Sequence, residues 1–389
     1  MTPGSLIVPM LPLLDERALS SYHEAHRALA DSVAVAGPAA AVFRGLQRRL
    51  LIESLANVQP IVAGVQFPPL FPAPRAFLTR AHLLRMRSAA AALEYVDSRL
   101  TMHRHGLIGG VLDQSTPLVL HALTEASRPS AKVSNAGMFR RTPIAFVEGL
   151  SPYRHPPGEQ CDEMIGAAID MASHAPAPAV ARAAWLAFTL MSVHPFVDGN
   201  GRSARLLHLL LASTELPLRI DWGVVEQWSL DRTGYLDALR SGQMIGEFDP
   251  ARLDARPFMT YAVETSTAGA HLARRRVEAL TAEHHRLADR GYHDDHAVVT
   301  MAVEIHRVAT IRELSDLGDL GDPGGGRTRL TEVVKELVAS GVLTWVGRGA
   351  GRRTPDGPEP MGLAVTSRPS SSAGRSVGAD EHHVGEQRA

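Results

Sequence analysis

Apolar residues recur at helical spacing through most of this 389-residue chain, and the interruptions divide it into segments. From Asp15 to Asn57 the pattern is helical, broken near Gly37-Pro38 and closing in Leu46 to Asn57. Val58 to Pro74, with Pro60, Pro68, Pro69, Pro72 and Pro74, cannot hold a regular helix and predicts a loop. Helical spacing resumes over Ala81 to Thr101 and Leu118 to Ser127. After the Gly137 turn signal, Ile144-Ala145-Phe146-Val147 follows Pro143 with the composition of a strand, which predicts a short β-hairpin. Two more helices follow, Cys161 to Ser173 and Ala177 to Val193. The second is apolar on nearly every face, the mark of a helix surrounded by others. The residue before proline is biased away from helical dihedrals, so His194-Pro195 ends it. Arg202 to Ser213, Ser229 to Ser241, Ala255 to Ala268 and His271 to Ala288 are expected to be helical, the last as a charged connector.

Beyond Gly291 the order changes. Helices over Val298 to His306, Ile311 to Leu317 and Arg329 to Ser340, a strand over Val342 to Val346, a basic turn over Gly347 to Arg353 and a strand over Gly362 to Val365 give the sequence of elements of a winged helix-turn-helix. From Ser367 onward apolar periodicity stops, which predicts a disordered tail.

Composition narrows the class. A hydrophobic share of 45% with 21% charged residues is that of a soluble globular protein, and no run approaches the length that spans a bilayer. Forty basic against forty-one acidic side chains leave a net charge of -1, so contact with nucleic acid needs a local patch. The lone Cys161 fits a reducing compartment, with the cytoplasm as the expectation. Ser5 to Leu14 lacks the basic leader of a signal segment and contains Pro9 and Pro12, which predicts a docked N-terminal strap.

The stretch His194-Pro195-Phe196-Val197-Asp198-Gly199-Asn200-Gly201-Arg202-Ser203-Ala204-Arg205 concentrates the chemistry. Gly199-Asn200-Gly201 permits close backbone approach to a ligand and leads into a helix whose first amides attract an anion. Arg202 and Arg205, three apart, share a helical face and offer planar donors to phosphate oxygens. Asp198 is the hard carboxylate that Mg²⁺ takes beside nucleotide phosphates. His194 is the candidate general base for an attacking hydroxyl.

This stretch resembles the Fic family signature, His-Pro-Phe-x-Asp/Glu-Gly-Asn-Gly-Arg-x-x-Arg, at every defined position. The resemblance implies His194 as general base, Asp198 as the Mg²⁺ ligand, and Gly199, Asn200, Gly201, Arg202 and Arg205 as the nucleotide-phosphate site. Doc kinases share the opening but lack the Gly-Asn-Gly-Arg ending, so the resemblance favours nucleotidyl transfer. It extends from about His121 to Phe258: Ala136 to Arg140 with Ile144 to Val147 is similar to the family's target-docking flap, placing Gly137, Arg140, Ile144 and Phe146 there. Tyr153 with Pro156-Pro157 and the run Tyr235 to Leu239 are similar to family segments on either side of the signature. Glu53 stands near the place of the family's inhibitory glutamate, with Arg49 and Ser54 departing from that motif, and the resemblance would pair it with Arg205.

The expected fold is therefore mainly α: a Fic-type helical bundle with a short β-hairpin flap, followed by a C-terminal winged-helix-like module. The expected divisions are an N-terminal helical region at 1–110 with the inhibitory segment at 46–57, a catalytic domain at 111–260, a connector at 261–291, the winged-helix-like module at 292–366 and a tail at 367–389. The implied activity is transfer of AMP from ATP, with Mg²⁺, to a Ser, Thr or Tyr hydroxyl of a target protein, self-modification included. Two alternatives stand beside it: a DNA-binding regulator with a vestigial Fic domain, and a Fic enzyme using another nucleotide. Arg327, Arg329, Lys335, Arg348, Arg352 and Arg353 offer phosphate contacts in the C-terminal module, while Glu332 and Glu336 favour a protein partner there.

Overall fold

The computed structural model describes residues 7–57, 61–62, 65–66, 79–127, 135–144, 153–243, 245–306, 314, 326–346 and 362–366. Helices dominate: α1 (Glu16–Val35), α2 (Ala39–Leu55), α3 (Arg80–Arg104), α4 (Thr116–Glu125), α5 (Cys161–His174), α6 (Ala179–Val193) and α7 (Asn200–Ala212) come first. They are followed by α8 (Val224–Leu230), α9 (Arg232–Gly242), α10 (Arg256–Ala288), α11 (Asp294–His306) and α12 (Gly326–Ala339). Among the described residues the strands form three short pairs. β1 (Ile61–Val62) pairs antiparallel with β2 (Val65–Gln66), and β3 (Tyr153–Arg154) pairs parallel with β4 (Gly246–Glu247). β5 (Leu343–Val346) pairs antiparallel with β6 (Gly362–Val365), with Leu343 opposite Val365.

The core is organised around α6. All its residues except Arg182 and Met191 are buried, so it satisfies its apolar faces by packing against α5, α7 and α10. Its Trp185 donates through Nε1 to the Met10 carbonyl (3.2 Å), and Val8 is buried in the same core. Residues 7–14 are thus docked as the expected strap. Among the described residues no helix is long and apolar enough to cross a membrane.

Helix α1 starts where Asp15 accepts from the Arg17 amide, a side-chain cap for an otherwise unpaired donor. Two predicted boundaries are corrected. The expected Ser229 to Ser241 helix is two helices, because Asp231 interrupts the backbone and caps α9 by accepting from the Gly234 amide (2.9 Å). The two helices expected over Ala255 to Ala268 and His271 to Ala288 are one continuous α10. Gly269, which reads as a break, is instead the crossing point with Gly223: a Cβ on Gly269 would lie 2.4 Å from the Gly223 Cα, and one on Gly223 would lie 2.3 Å from the Gly269 backbone. A division at residue 260 falls inside this helix, whose Ala262 to Val277 face is buried against α1, α2 and α8.

A buried ion pair fixes α2 and α8 to α10. Arg276 donates to both Glu226 oxygens (2.7 and 2.6 Å) and to Gln47 Oε1 (2.7 Å), so its desolvated charge is met in bidentate geometry. A second buried set ties α1 to α10: Ser266 donates to Asp221 (2.5 Å) and contacts His26 Nε2 (3.1 Å). The C-terminal residues form their own apolar cluster, in which α11, α12, Leu314 and the β5–β6 pair meet. Most of the segment expected as its second helix, and the basic turn bearing Arg348, Arg352 and Arg353, lie outside the described residues.

Because two backbones occupy the space of a Cβ, Gly269→Ala should cost about 3 kcal/mol through overpacking. The measurement is the urea midpoint at unchanged slope, and a midpoint equal to the parent's would show that α8 and α10 can part without penalty.

Candidate active site

The site is built at the C-terminal end of α6. His194 follows its last residue with φ 53° and ψ 58°, the left-handed region, and its amide closes the helix on the Leu190 carbonyl (2.8 Å). A side chain bearing Cβ pays about 1–2 kcal/mol for that conformation. Arg140 offsets it. Its guanidinium donates to the carbonyls of His194 (2.8 Å), Val193 (3.2 Å), Pro156 (2.6 Å) and Thr142 (3.1 Å), and its own amide donates to the Pro195 carbonyl (2.8 Å). A buried cation thus caps the negative end of the helix that delivers the histidine.

Burial holds the His194 imidazole neutral. Desolvation brings its pKa down to about 4 and the Arg140 charge acts in the same direction, while the Met191 carbonyl and Asp198 oppose them. His155 lies against it with ring centroids 4.5 Å apart, its Nδ1 donating to the Ser192 carbonyl (2.8 Å). Desolvation also takes His155 to about 4, with His194 as the next contribution.

The signature loop is held from both sides. The Asn200 side chain accepts from the Phe196 amide (2.9 Å) and donates to the Phe196 carbonyl (2.8 Å), closing the turn on itself. Phe196 stacks on His121 at 3.8 Å and 4°. His121 Nδ1 accepts from the Gly137 amide (2.9 Å), so Nε2 carries the proton donated to the Asp198 carbonyl (2.9 Å). One ring from α4 therefore joins the turn at Gly137 to the loop. Gly199 has φ +82°, and a Cβ there would meet Glu125 Oε1 at 2.7 Å and the His121 ring at 3.0 Å. Only glycine fits both the dihedral and the space.

From Gly199 the chain enters α7, where the amides of Asn200 and Gly201 have no carbonyl within the helix to bond. Arg202 donates to Glu125, which is buried at the end of α4, and its Nε is buried without a hydrogen bond among the described residues. Arg205 donates to Asn57 Oδ1 (2.9 Å), and burial lowers its pKa to about 10, well above neutrality. The Asp198 side chain is 60% exposed, with Oδ1 accepting from the Gly199 amide (2.6 Å) and lying 3.9 Å from Arg202. A base, an exposed carboxylate, two open amides and two guanidinium groups thus converge on one helix start.

A family model described as Fic/DOC family matches residues 112–212. The domain is a Fic/DOC family domain. Solved structures similar to the chain include a Fic family protein from Desulfovibrio desulfuricans, with a TM-score of 0.50 and 15% identity over 92% of this chain and 99% of that one. Fic-1 from C. elegans gives a TM-score of 0.47 at 19% identity, covering 68% and 73% of the two chains. A Fic domain containing signaling protein from Bacteroides thetaiotaomicron gives 0.46 at 16%, covering 66% and 98%. At these identities the likeness to the first speaks for the fold alone. No curated protein sequence matches the chain.

Within this Fic domain the signature residues His194, Asp198, Gly199, Asn200, Gly201, Arg202 and Arg205 stand together as the spacing required. The Asn200 side chain is engaged with the Phe196 main chain through both its oxygen and its nitrogen. Gly137 and Ile144 lie on the segment beside the loop, and Phe146 lies outside the described residues. Arg140 is buried under the His194 turn, its donors spent on main-chain carbonyls. Glu53 is buried on α2 and accepts from Arg49 (3.0 Å), and Arg205 donates to Asn57 just beyond the end of that helix. Sequence reasoning missed His121, Glu125 and His155. His155-Pro156 repeats the dipeptide of the signature and was the one readable signal.

Three imidazoles, those of the half-buried His155 and His194 and the buried His208, have folded pKa values of about 4, each lowered chiefly by desolvation. They are neutral when folded and take up protons near 6.5 when unfolded. Stability is therefore complete above about pH 6.5 and falls as the pH drops toward 4. Thermal unfolding from pH 8 to 4 checks this: the midpoint should hold and then fall below about 6.5. A flat profile would mean the three rings protonate in place.

Proposed function

We propose that the chain is a Fic-type protein adenylyltransferase that moves AMP from ATP to a Ser, Thr or Tyr hydroxyl of a target protein, itself included. The observation that carries the reading is His194, held neutral in a left-handed turn immediately before a helix start that presents open amides and two arginines. A neutral imidazole can accept the hydroxyl proton as the oxygen attacks the α-phosphorus. The bond from that phosphorus to the β-phosphate oxygen then breaks, and pyrophosphate leaves with the electron pair. The Asn200 and Gly201 amides and the guanidinium groups neutralise the phosphate charge, so the chain contributes mainly positioning and electrostatics.

Among the described residues no three His, Cys, Asp or Glu side chains form a metal cluster. Asp198 fits the way Mg²⁺ is held in nucleotide sites, by one or two carboxylates together with substrate phosphates, and the ion would supply charge neutralisation there. The lone buried Cys161 agrees with a cytoplasmic setting. For the C-terminal module the winged-helix reading favours a protein partner over DNA, because Arg329 is paired with Asp295 (3.0 Å) and Glu332 (3.8 Å) and lacks free charge for a phosphate backbone.

Incubation with α-labelled ATP and Mg²⁺ tests the reading. The parent should incorporate label, and His194→Ala should lose transfer by a factor on the order of 10² to 10⁴ while nucleotide affinity persists. A parent that never incorporates label leaves the DNA-binding regulator as the surviving reading, and labelled GTP or UTP in parallel arms tests the donor.

Asp198→Ala should weaken Mg²⁺-dependent ATP binding and leave Mg²⁺-free binding unchanged. Calorimetric titration with and without Mg²⁺ reads both quantities, and an unaltered Mg²⁺ dependence would remove Asp198 as the ligand.

A further inference from the structure

Arg202 is paired before any nucleotide arrives. Glu125, 3% exposed, receives its guanidinium, and the Glu125 Oε1 would lie 2.7 Å from a Cβ placed on Gly199. That carboxylate therefore stands against the signature backbone, in the space where phosphate oxygens would meet the arginine. With Asp198 at 3.9 Å as well, the Arg202 charge is matched by acids of the chain itself. A phosphate entering here must either take Arg202 from Glu125 or lie beside a buried like charge, and the latter is heavily disfavoured in a dry site. The position is itself unfavourable for a carboxylate, because Glu125 is the last residue of α4, where helix carbonyls concentrate negative potential.

We propose that Glu125 is a built-in competitor of the nucleotide phosphates for Arg202. The proposal rests on the reading of the signature loop as a phosphate site. It is distinct from any role of Glu53, since it concerns the other motif arginine. Glu125 thereby sets nucleotide affinity: the cradle binds tightly only in the fraction of molecules where Arg202 is released.

The test is calorimetric titration of the full chain with inorganic pyrophosphate, and separately with ATP and Mg²⁺. It compares the parent, Glu125→Gln, Arg202→Ala and the double variant. If the cradle is open about a tenth of the time, Glu125→Gln should bind pyrophosphate roughly tenfold more tightly. That gain should disappear in the Arg202→Ala background. Weaker binding by Glu125→Gln would overturn the proposal and make Glu125 a residue that positions Arg202. A gain that persists in the double variant would also overturn it, since Glu125 would then act as a like charge and not through Arg202. Circular dichroism checks folding. Should Glu125→Gln fail to fold, Glu125→Asp, whose shorter side chain holds Arg202 less closely, decides, and pyrophosphate affinity no tighter than the parent's refutes the competition. The two readings fail separately: absent AMP transfer with a tenfold pyrophosphate gain removes the adenylyltransferase, whereas transfer without that gain removes the competitor.

Discussion

The left-handed turn at His194 is the constraint on which the site depends. An α-helix ordinarily gives that conformation to glycine, and here it falls on a side chain that must also present an imidazole. It persists because Arg140 gathers four main-chain carbonyls around the turn, among them those of Val193 and His194. The same cation that caps α6 pushes the His194 ring toward neutrality. Fold and electrostatics share one interaction: the guanidinium that pins the turn also disfavours a charged His194 ring.

Around that turn, single side chains join segments far apart in sequence. His121 uses its two nitrogens on Gly137 and Asp198, and its ring face on Phe196. The position of the loop is thereby coupled to α4, whose last residue bears on Arg202. On the other side Arg276 clasps Glu226 and Gln47, and the docked α2 carries Asn57 to Arg205. Each signature arginine thus reports on a different helix, Arg202 on α4 and Arg205 on α2. On the proposed reading, a movement of either helix would change the charge offered to a phosphate.

Much of this was legible in the sequence, and the failures have physical causes. The twelve positions from His194 to Arg205 are adjacent in the chain, so their spacing alone specified a base, a carboxylate and a helix start. The apolar run of α6 announced its central place for the same local reason. Glu125 and His155 carry no such signal, because a glutamate at a helix end and a histidine in a loop become informative only when folding brings them to Arg202 and His194. The division expected between Ala268 and His271 failed for a different reason. Helix propensity penalises the glycine that falls there, whereas the crossing of Gly269 with Gly223 requires the missing side chain, and packing prevails over propensity.

The neutral imidazole raises a further question about base strength. A histidine with a pKa of about 4 is always ready to accept a proton, but it holds one weakly. Its depression comes first from desolvation and then from Arg140. On the proposed reading, a nucleotide would bring several negative charges to the start of α7, within reach of the turn that follows α6. Negative charge favours the protonated ring, so the pKa of His194 would rise as the phosphates settle. Basicity would then arrive together with the group to be attacked, and one loop would both hold phosphate and tune the imidazole beside it.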